Sequence, residues 1–400
     1  MTERPPAPEA AESPTARRTH GFTESVIREM SRVAREVGAV NLGQGFPDFP
    51  APDVLKEAAC RAIQDDVNQY AVTWGTPRLR QALQAKYRDF YGMELDPDRE
   101  ITVTCGATEA MASVMLAVVN PGEEVIVLEP FYENYGPDAV LCQGSPRFLR
   151  LDPPEFRLDP QRLRSLVTPA TRAIILNTPN NPTGRVFDDE ELEAVASVCR
   201  DAGLYAFTDE IYEHILYEGH HRPLTTLDGM RERTITISGA SKTFSVTGWR
   251  VGTVVAPPEV TDAVRKVHDF LTVGAPAPLQ EACAAGLETL GEDYYEGLVA
   301  DYRERRDVLL EGLHAAGFRC EPPEGAYYVL ADFRALSDAD DDTFARTLAQ
   351  DGGVATVPGS SFFQEPGDGS HLVRFAFCKQ LPTLEEAAER LASFARAGTS

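Results

Sequence analysis

Positive charge is scarce in this sequence. Its 38 lysines and arginines face 62 aspartates and glutamates, a formal net charge of −24 over 400 residues. Such a chain repels polyanions at neutral pH, so nucleic acid and anionic membrane surfaces are not expected as partners. Long apolar runs are missing too, and no stretch approaches the roughly 18 residues that a membrane span needs. The seven cysteines (Cys60, Cys105, Cys142, Cys199, Cys283, Cys320 and Cys378) are odd in number, scattered and never spaced C-x-x-C. That pattern argues against a disulfide framework or a thiolate zinc site and fits a reducing cytoplasm. The histidines form no H-E-x-x-H motif, so no metal is expected. G-Q-G-F-P-D at 43–48 begins like a dinucleotide fingerprint but has Asp48 where the third glycine belongs, and neither G-x-x-x-x-G-K-[ST] nor G-x-S-x-G occurs. The first twenty residues carry charge, proline and alanine without an apolar centre, and are expected to form a flexible arm and not a signal peptide.

What is present reads as a folded protein. Hydrophobic residues make up 43% and charged residues 25% of the chain, the balance of a protein that buries a core. From residue 52 onward, short β-rich runs alternate with amphipathic helical stretches, the pattern of a mainly parallel sheet covered by helices on both faces. Strands are expected at 101–104, 125–128, 173–176, 205–208, 234–237 and 251–255, and helices at 107–119 and 188–202. After about residue 276 the pattern shifts to long helices at 279–290 and 294–316, short strands at 327–331 and 373–377, and a last helix at 384–396. The expectation is a large α/β domain over 51–280 and a smaller α+β domain built from 21–50 together with 281–400, with a cleft between them.

Several short motifs sit where chemistry is done. S-G-A-S-K-T-F at 238–244 follows a strand, and a lysine among small hydroxylated residues at a strand end is placed to be desolvated and to form a Schiff base with a carbonyl. Alone, Lys242 would pass for a solvated lysine. Asp209, in F-T-D-E-I-Y at 207–212, ends another apolar strand, where α/β folds place their ligands; its carboxylate can cap a helix or keep a pyridinium nitrogen protonated. N-T-P-N-N-P-T-G at 177–184 is a turn by composition, with amides able to bond a cofactor phenolate. Gly106, Ala107 and Thr108 open a helix whose free N–H groups can take an anion. Arg374 lies inside the apolar run L-V-R-F-A-F at 372–377, where a buried guanidinium requires either an internal carboxylate or a bound anion.

With N-P-T-G, D-E-I-Y, S-K-T-F and G-W-R-V-G in that order, the chain resembles the class I/II aminotransferases of fold type I, which depend on pyridoxal 5′-phosphate (PLP), over nearly all of 21–400. The stretch 41–48 is similar to the kynurenine/glutamine/methionine branch. The resemblance implies a large domain with a mainly parallel seven-stranded sheet between helices, plus the smaller α+β domain. It implies that Lys242 carries the cofactor, Asp209 partners the pyridine nitrogen, and Asn181 and Tyr212 bond the ring oxygen. Ala107 and Thr108 with Gly106, Arg250, and either Ser241 or Ser238 hold the phosphate, since Gly239 stands where some relatives have a serine. Tyr132 stacks on the ring. Tyr70 reaches the phosphate of the other subunit's cofactor, which makes the expected assembly a homodimer with shared sites. Arg374 grips the substrate α-carboxylate, helped by the backbone near Gly45 and by Asn181.

The reaction so implied is transfer of an amino group from an L-amino acid to a 2-oxo acid in ping-pong fashion, in the cytoplasm. A β- or γ-elimination lyase on the same fold is the competing reaction, and a PLP-binding regulator the remote one. The stretch 271–278, where aspartate-specific relatives commonly place a cation, has none. Val273 and Gly274 there, with Phe22 and Tyr132, imply a roomy apolar pocket for a neutral amino acid that is aromatic, methionine-like or glutamine-like.

Overall fold

A computed structural model describes residues 15–20, 24–365 and 367–398. Its strands are β1 (Val40–Asn41), β2 (Ile101–Thr104), β3 (Glu124–Glu129), β4 (Ser145–Arg150), β5 (Thr171–Asn177), β6 (Tyr205–Asp209), β7 (Thr234–Gly239), β8 (Gly252–Val255), β9 (Tyr328–Asp332), β10 (Val354–Ala355), β11 (Val357–Pro358) and β12 (Leu372–Ala376). Seven of them form one sheet in the order β2-β8-β7-β6-β5-β3-β4. Its β4, β3, β5, β6 and β7 are parallel, whereas β8 runs antiparallel to both β7 and β2. The fold is therefore the α/β architecture of fold type I enzymes.

Side chains alternate across the strands, and both faces are covered. Val125 and Val127 of β3, Ala173 and Ile175 of β5, and Phe207 of β6 pack with Met111, Val114 and Val118 of the helix Ala107–Val118. Their neighbours Ile126, Leu128, Ile174, Leu176 and Ala206 face the other way, onto Leu192, Val195 and Cys199 of the helix Asp189–Ala202. That second helix starts where Asp188 and Glu191 cap each other's backbone N–H groups, and it ends at Gly203, whose φ of 68° is the left-handed stop.

A second, three-stranded antiparallel sheet, β11-β12-β9, packs with the long helix Glu292–Ala315 and the last helix Leu381–Gly398 around Tyr302, Phe333, Phe344 and Phe375. The segment at 40–42 joins it: β1 pairs in parallel with β10, and the Ala376 N–H donates to the Leu42 carbonyl at 2.7 Å. The elements that the sequence reading named agree in position to within a few residues, but β4 and several helices, Val26–Val37, Pro258–Thr272 and Asp341–Gln350 among them, were not anticipated. Of the expected arm, Arg17–Thr19 form a 3-10 turn and residues 1–14 lie outside the described residues, as does Phe22. No helix among the described residues is long and apolar enough to cross a membrane.

Candidate active site

Parallel strands that end along one edge deliver their following residues to the same place. Register does the rest: Asn177 at the end of β5 stands beside Asp209 at the end of β6, and Asp209 stands beside Ile237 of β7. Past this edge lies a cavity of about 490 Å³, walled on one side by Tyr132, Asn177, Asp209, Tyr212, Ser241 and Lys242 and on the other by Gly45, Tyr328 and Arg374.

Asp209 is buried. Its Oδ2 accepts from the Tyr135 hydroxyl at 2.7 Å and its Oδ1 from the Ile211 N–H at 3.3 Å, but among the described residues no cation pairs with it. Burial raises its pKa, since charge in a dry site is costly. A protonated ring nitrogen brought to this carboxylate would supply the missing cation and would itself be kept protonated.

Lys242 Nζ donates to the Gly45 carbonyl at 3.2 Å and stands 5.6 Å and 5.4 Å from the ring centres of Tyr212 and Tyr327. Burial draws its ammonium down to about 8, which outweighs the opposing pull of Asp209. A lysine so poised is a usable nucleophile and base near neutral pH. Gly45 must be glycine, because a Cβ there would fall on the Tyr328 ring.

An anion cradle lies at the start of the helix Ala107–Val118, whose first N–H groups have no partners within the helix. Gly106, with φ at 84°, lets the Arg250 guanidinium lie against the backbone, and a Cβ at that position would collide with it. Arg250 itself adopts the left-handed conformation with φ at 54°, and its Nη1 donates to the Thr247 carbonyl at 3.0 Å. Ser241 lines the cavity as expected. Ser238 does not, and its hydroxyl donates to Glu213, so of the two serines only Ser241 lines the cavity.

Arg374 is 1% exposed, the most deeply buried cation of the cavity. Its Nη1 donates to Asn181 Oδ1 at 2.8 Å and its Nη2 to the Gly43 carbonyl at 2.5 Å. The guanidinium lies over the rings of Tyr328 and Phe362, at 4.3 Å and 4.9 Å. Among the described residues its Nε has no acceptor, and no carboxylate neutralises it. A buried guanidinium with five N–H donors, two of them taken up by the described residues, can receive a carboxylate.

Other expected positions lie outside this cavity. Tyr70 is 87% exposed, and Val273 is exposed with φ at 68°; in its own chain neither lines the pocket. Tyr132 does, and burial pushes its phenol up to about 12, so it is a neutral aromatic face. Three contributors carry no motif: Tyr135, which holds Asp209; Tyr328, whose hydroxyl is 3.1 Å from that of Tyr212; and Arg28, which lines the mouth. Tyr135 follows Tyr132 by three residues, a spacing that puts both on one side of a turn and was the only sequence signal available.

A model of the family described as aminotransferase class I and II matches residues 37–391. The solved N-succinyldiaminopimelate aminotransferase from Mycobacterium tuberculosis is 42% identical, covers 95% of this chain and 100% of its own, and has a TM-score of 0.93. A methionine aminotransferase of Escherichia coli is 38% identical over 368 residues, 92% of this chain and 95% of its own. Kynurenine–oxoglutarate transaminase 1 of Mus musculus is 35% identical over 412 residues, 95% and 97% of the two chains.

Proposed function

The chain belongs to the class I and II aminotransferases, which are PLP-dependent enzymes, and from that premise we propose that it moves the amino group of a neutral, fairly large L-amino acid (aromatic, methionine-like or glutamine-like) to a 2-oxo acid in ping-pong fashion. The observation that carries this reading is the convergence of Lys242, Asp209 and Arg374 on one cavity with no acid there to neutralise Arg374.

Arg250, the Gly106–Thr108 turn and Ser241 would hold the cofactor's phosphate, Tyr132 would cover its ring, Asn181 and Tyr212 would bond its ring oxygen, and Asp209 would keep its nitrogen protonated. When bound, the cofactor supplies an electron sink for the substrate's Cα. Arg374 fixes the α-carboxylate by a two-point grip, so that Cα lies within reach of Lys242. The Lys242 amine, whose ammonium burial draws down to about 8, would take and hold the Cα proton. Tyr328 and Gly45 keep water from that transfer by filling the wall beside the amine.

The remaining assignments rest on coarser support. A homodimer in which Tyr70 completes the neighbour's phosphate site is favoured by the exposure of Tyr70 and of Phe270, 87% and 92%, on a face that would otherwise leave large aromatics in water. A boundary near 50 and another near 280 is favoured by the confinement of the seven-stranded sheet to 101–255 and of the smaller sheet to 328–376. Seven unpaired cysteines favour the cytoplasm. Similarity to the Mycobacterium tuberculosis enzyme favours a second reading, in which N-succinyldiaminopimelate is the amino donor. Comparison of kcat/KM for aspartate, methionine, glutamine, phenylalanine, kynurenine and N-succinyldiaminopimelate decides among these. A lead for one of the neutral donors is the expected result, and a clear lead for aspartate overturns the pocket reading.

A further inference from the structure

The backbone carbonyls of residues 43–46 all accept from basic side chains. Gly43 takes the Arg374 guanidinium at 2.5 Å and Gly45 the Lys242 amine at 3.2 Å, while Gln44 and Phe46 take the ammonium of one further residue, Lys379, at 3.3 Å and 2.8 Å. Lys379 stands just past the end of β12, is 4% exposed and does not line the cavity. Among the described residues no carboxylate pairs with it; its ammonium meets those two carbonyls and the Phe46 ring, whose centre is 4.4 Å away. Burying a lysine on such terms is costly, and an apolar side chain would fill the space without that cost.

The segment that Lys379 holds has little shape of its own. Gly43 and Gly45 flank Gln44, and glycine leaves the backbone free to turn its peptide units. Outside contacts fix it instead. On the N–H side, Asn41 Oδ1 accepts from Gly43 and Gln44 at 3.0 Å and 3.2 Å; on the carbonyl side, Lys379 holds Gln44 and Phe46. Lys379 is itself anchored. Arg305 Nε donates to its carbonyl at 2.9 Å, and the next residue, Gln380, donates from its backbone and its side-chain amide to Asp48, at 2.6 Å and 2.9 Å. The carbonyls of Gly43 and Gly45 alternate with those that Lys379 holds, and they take the two groups to which the reaction falls, the fork for the α-carboxylate and the amine for the Cα proton. We propose that Lys379 is a positioning residue, which fixes the backbone at 44 and 46 and thereby sets where the Arg374 guanidinium and the Lys242 amine stand relative to each other.

This inference rests on the transaminase reading, and the test keeps the two apart. The wild-type holoenzyme, Lys379→Met and Lys379→Gln are compared at matched cofactor content and well below their thermal midpoints. The Kd of 3-phenylpropionate is read by calorimetry, and kcat and KM are measured with methionine and 2-oxoglutarate. 3-Phenylpropionate offers Arg374 a carboxylate but has no amino group to react, so its affinity reads the grip without the chemistry. Lys379→Met is expected to bind it about tenfold more weakly and to lose about tenfold in kcat as well, because a displacement on the order of 1 Å costs that much or more. Lys379→Gln, which can still donate to one carbonyl, is expected to fall between, and it carries the test if Lys379→Met does not fold. A merely structural Lys379 would lower the thermal midpoint and leave Kd and kcat within about twofold of wild type. That result in Lys379→Met, or in Lys379→Gln where only it folds, overturns the proposal. A wild-type enzyme that moves no amino group from methionine to 2-oxoglutarate overturns the transaminase reading instead, and the Kd comparison still decides the role of Lys379.

Discussion

Glu213→Gln is expected to be among the most destabilising single substitutions in this chain that touch no ligand. Glu213 directly follows Tyr212, and its side chain is 3% exposed. Lys86 Nζ, 7% exposed, lies 2.5 Å from its Oε2, the Tyr91 hydroxyl donates to the same oxygen at 2.5 Å, and Ser238 donates to Oε1. Removing the carboxylate's charge leaves the Lys86 ammonium buried without a counter-ion, which costs about 3–5 kcal/mol. Lys86→Met leaves the carboxylate with two hydroxyl donors and is expected to cost less, about 2–3 kcal/mol. The double variant Lys86→Met/Glu213→Gln removes both charges, so its cost should fall short of the sum by about 2 kcal/mol. The pH dependence has a definite sign. Burial alone would raise the Glu213 carboxyl, but Lys86, His214 and His221 outweigh it and hold the group well below the usual carboxylate range. A depressed folded pKa means that this stabilisation is complete above the unfolded value of about 4.3 and is lost only as the pH falls below it. Urea unfolding of the holoenzyme and of the three variants at pH 7, read by intrinsic fluorescence, measures the cycle. Additive losses, or Glu213→Gln unfolding at the wild-type midpoint, would refute the buried-pair argument.

Three further outcomes follow from the site. Gly106→Ala puts a methyl group into the Arg250 guanidinium at a φ of 84°, so cofactor affinity should drop by about tenfold or more, measured by dialysis and re-titration with PLP. With the cofactor stripped, labelling of Lys242 by an amine-directed acylating reagent should be half-maximal near pH 8, because burial draws the ammonium down to about 8; a midpoint near that of a free lysine would contradict this. Arg374→Lys should lower kcat/KM for every donor alike, by about 100-fold, since it loses the planar grip that all donors share; a loss confined to one donor would assign Arg374 to the side chain instead.

The sequence disclosed those features that depend on one segment at a time. Lys242, Asp209, Asn181 and Arg374 each sit in a short motif at a strand end or inside an apolar strand, and the structure brings all four to one cavity. The strand β4 stayed hidden because it is an edge strand with Pro146 and two arginines, partly exposed along its length, and so lacks the apolar run of its neighbours. The helix Pro258–Thr272 shows its proline at the first position only once a helix is already suspected. Choosing between Ser238, in β7, and Ser241, in the short helix Ala240–Thr243 that follows it, required knowing what each hydroxyl meets, and Glu213, the residue that claims Ser238, lies 25 positions away. Tyr135, Tyr328 and Arg28 reach the cavity from separate segments, and only the fold relates them.

The central claim is that Lys242 carries the cofactor and exchanges it for an amino acid. Reduction of the purified holoenzyme with borohydride, followed by peptide mapping, tests it most directly when done before and after addition of methionine. The account predicts a single pyridoxyl-modified peptide containing Lys242 before addition, and little of it afterwards, as the cofactor leaves the lysine in its amine form. Modification of a different lysine, or a Lys242 adduct whose yield methionine does not alter, would contradict it.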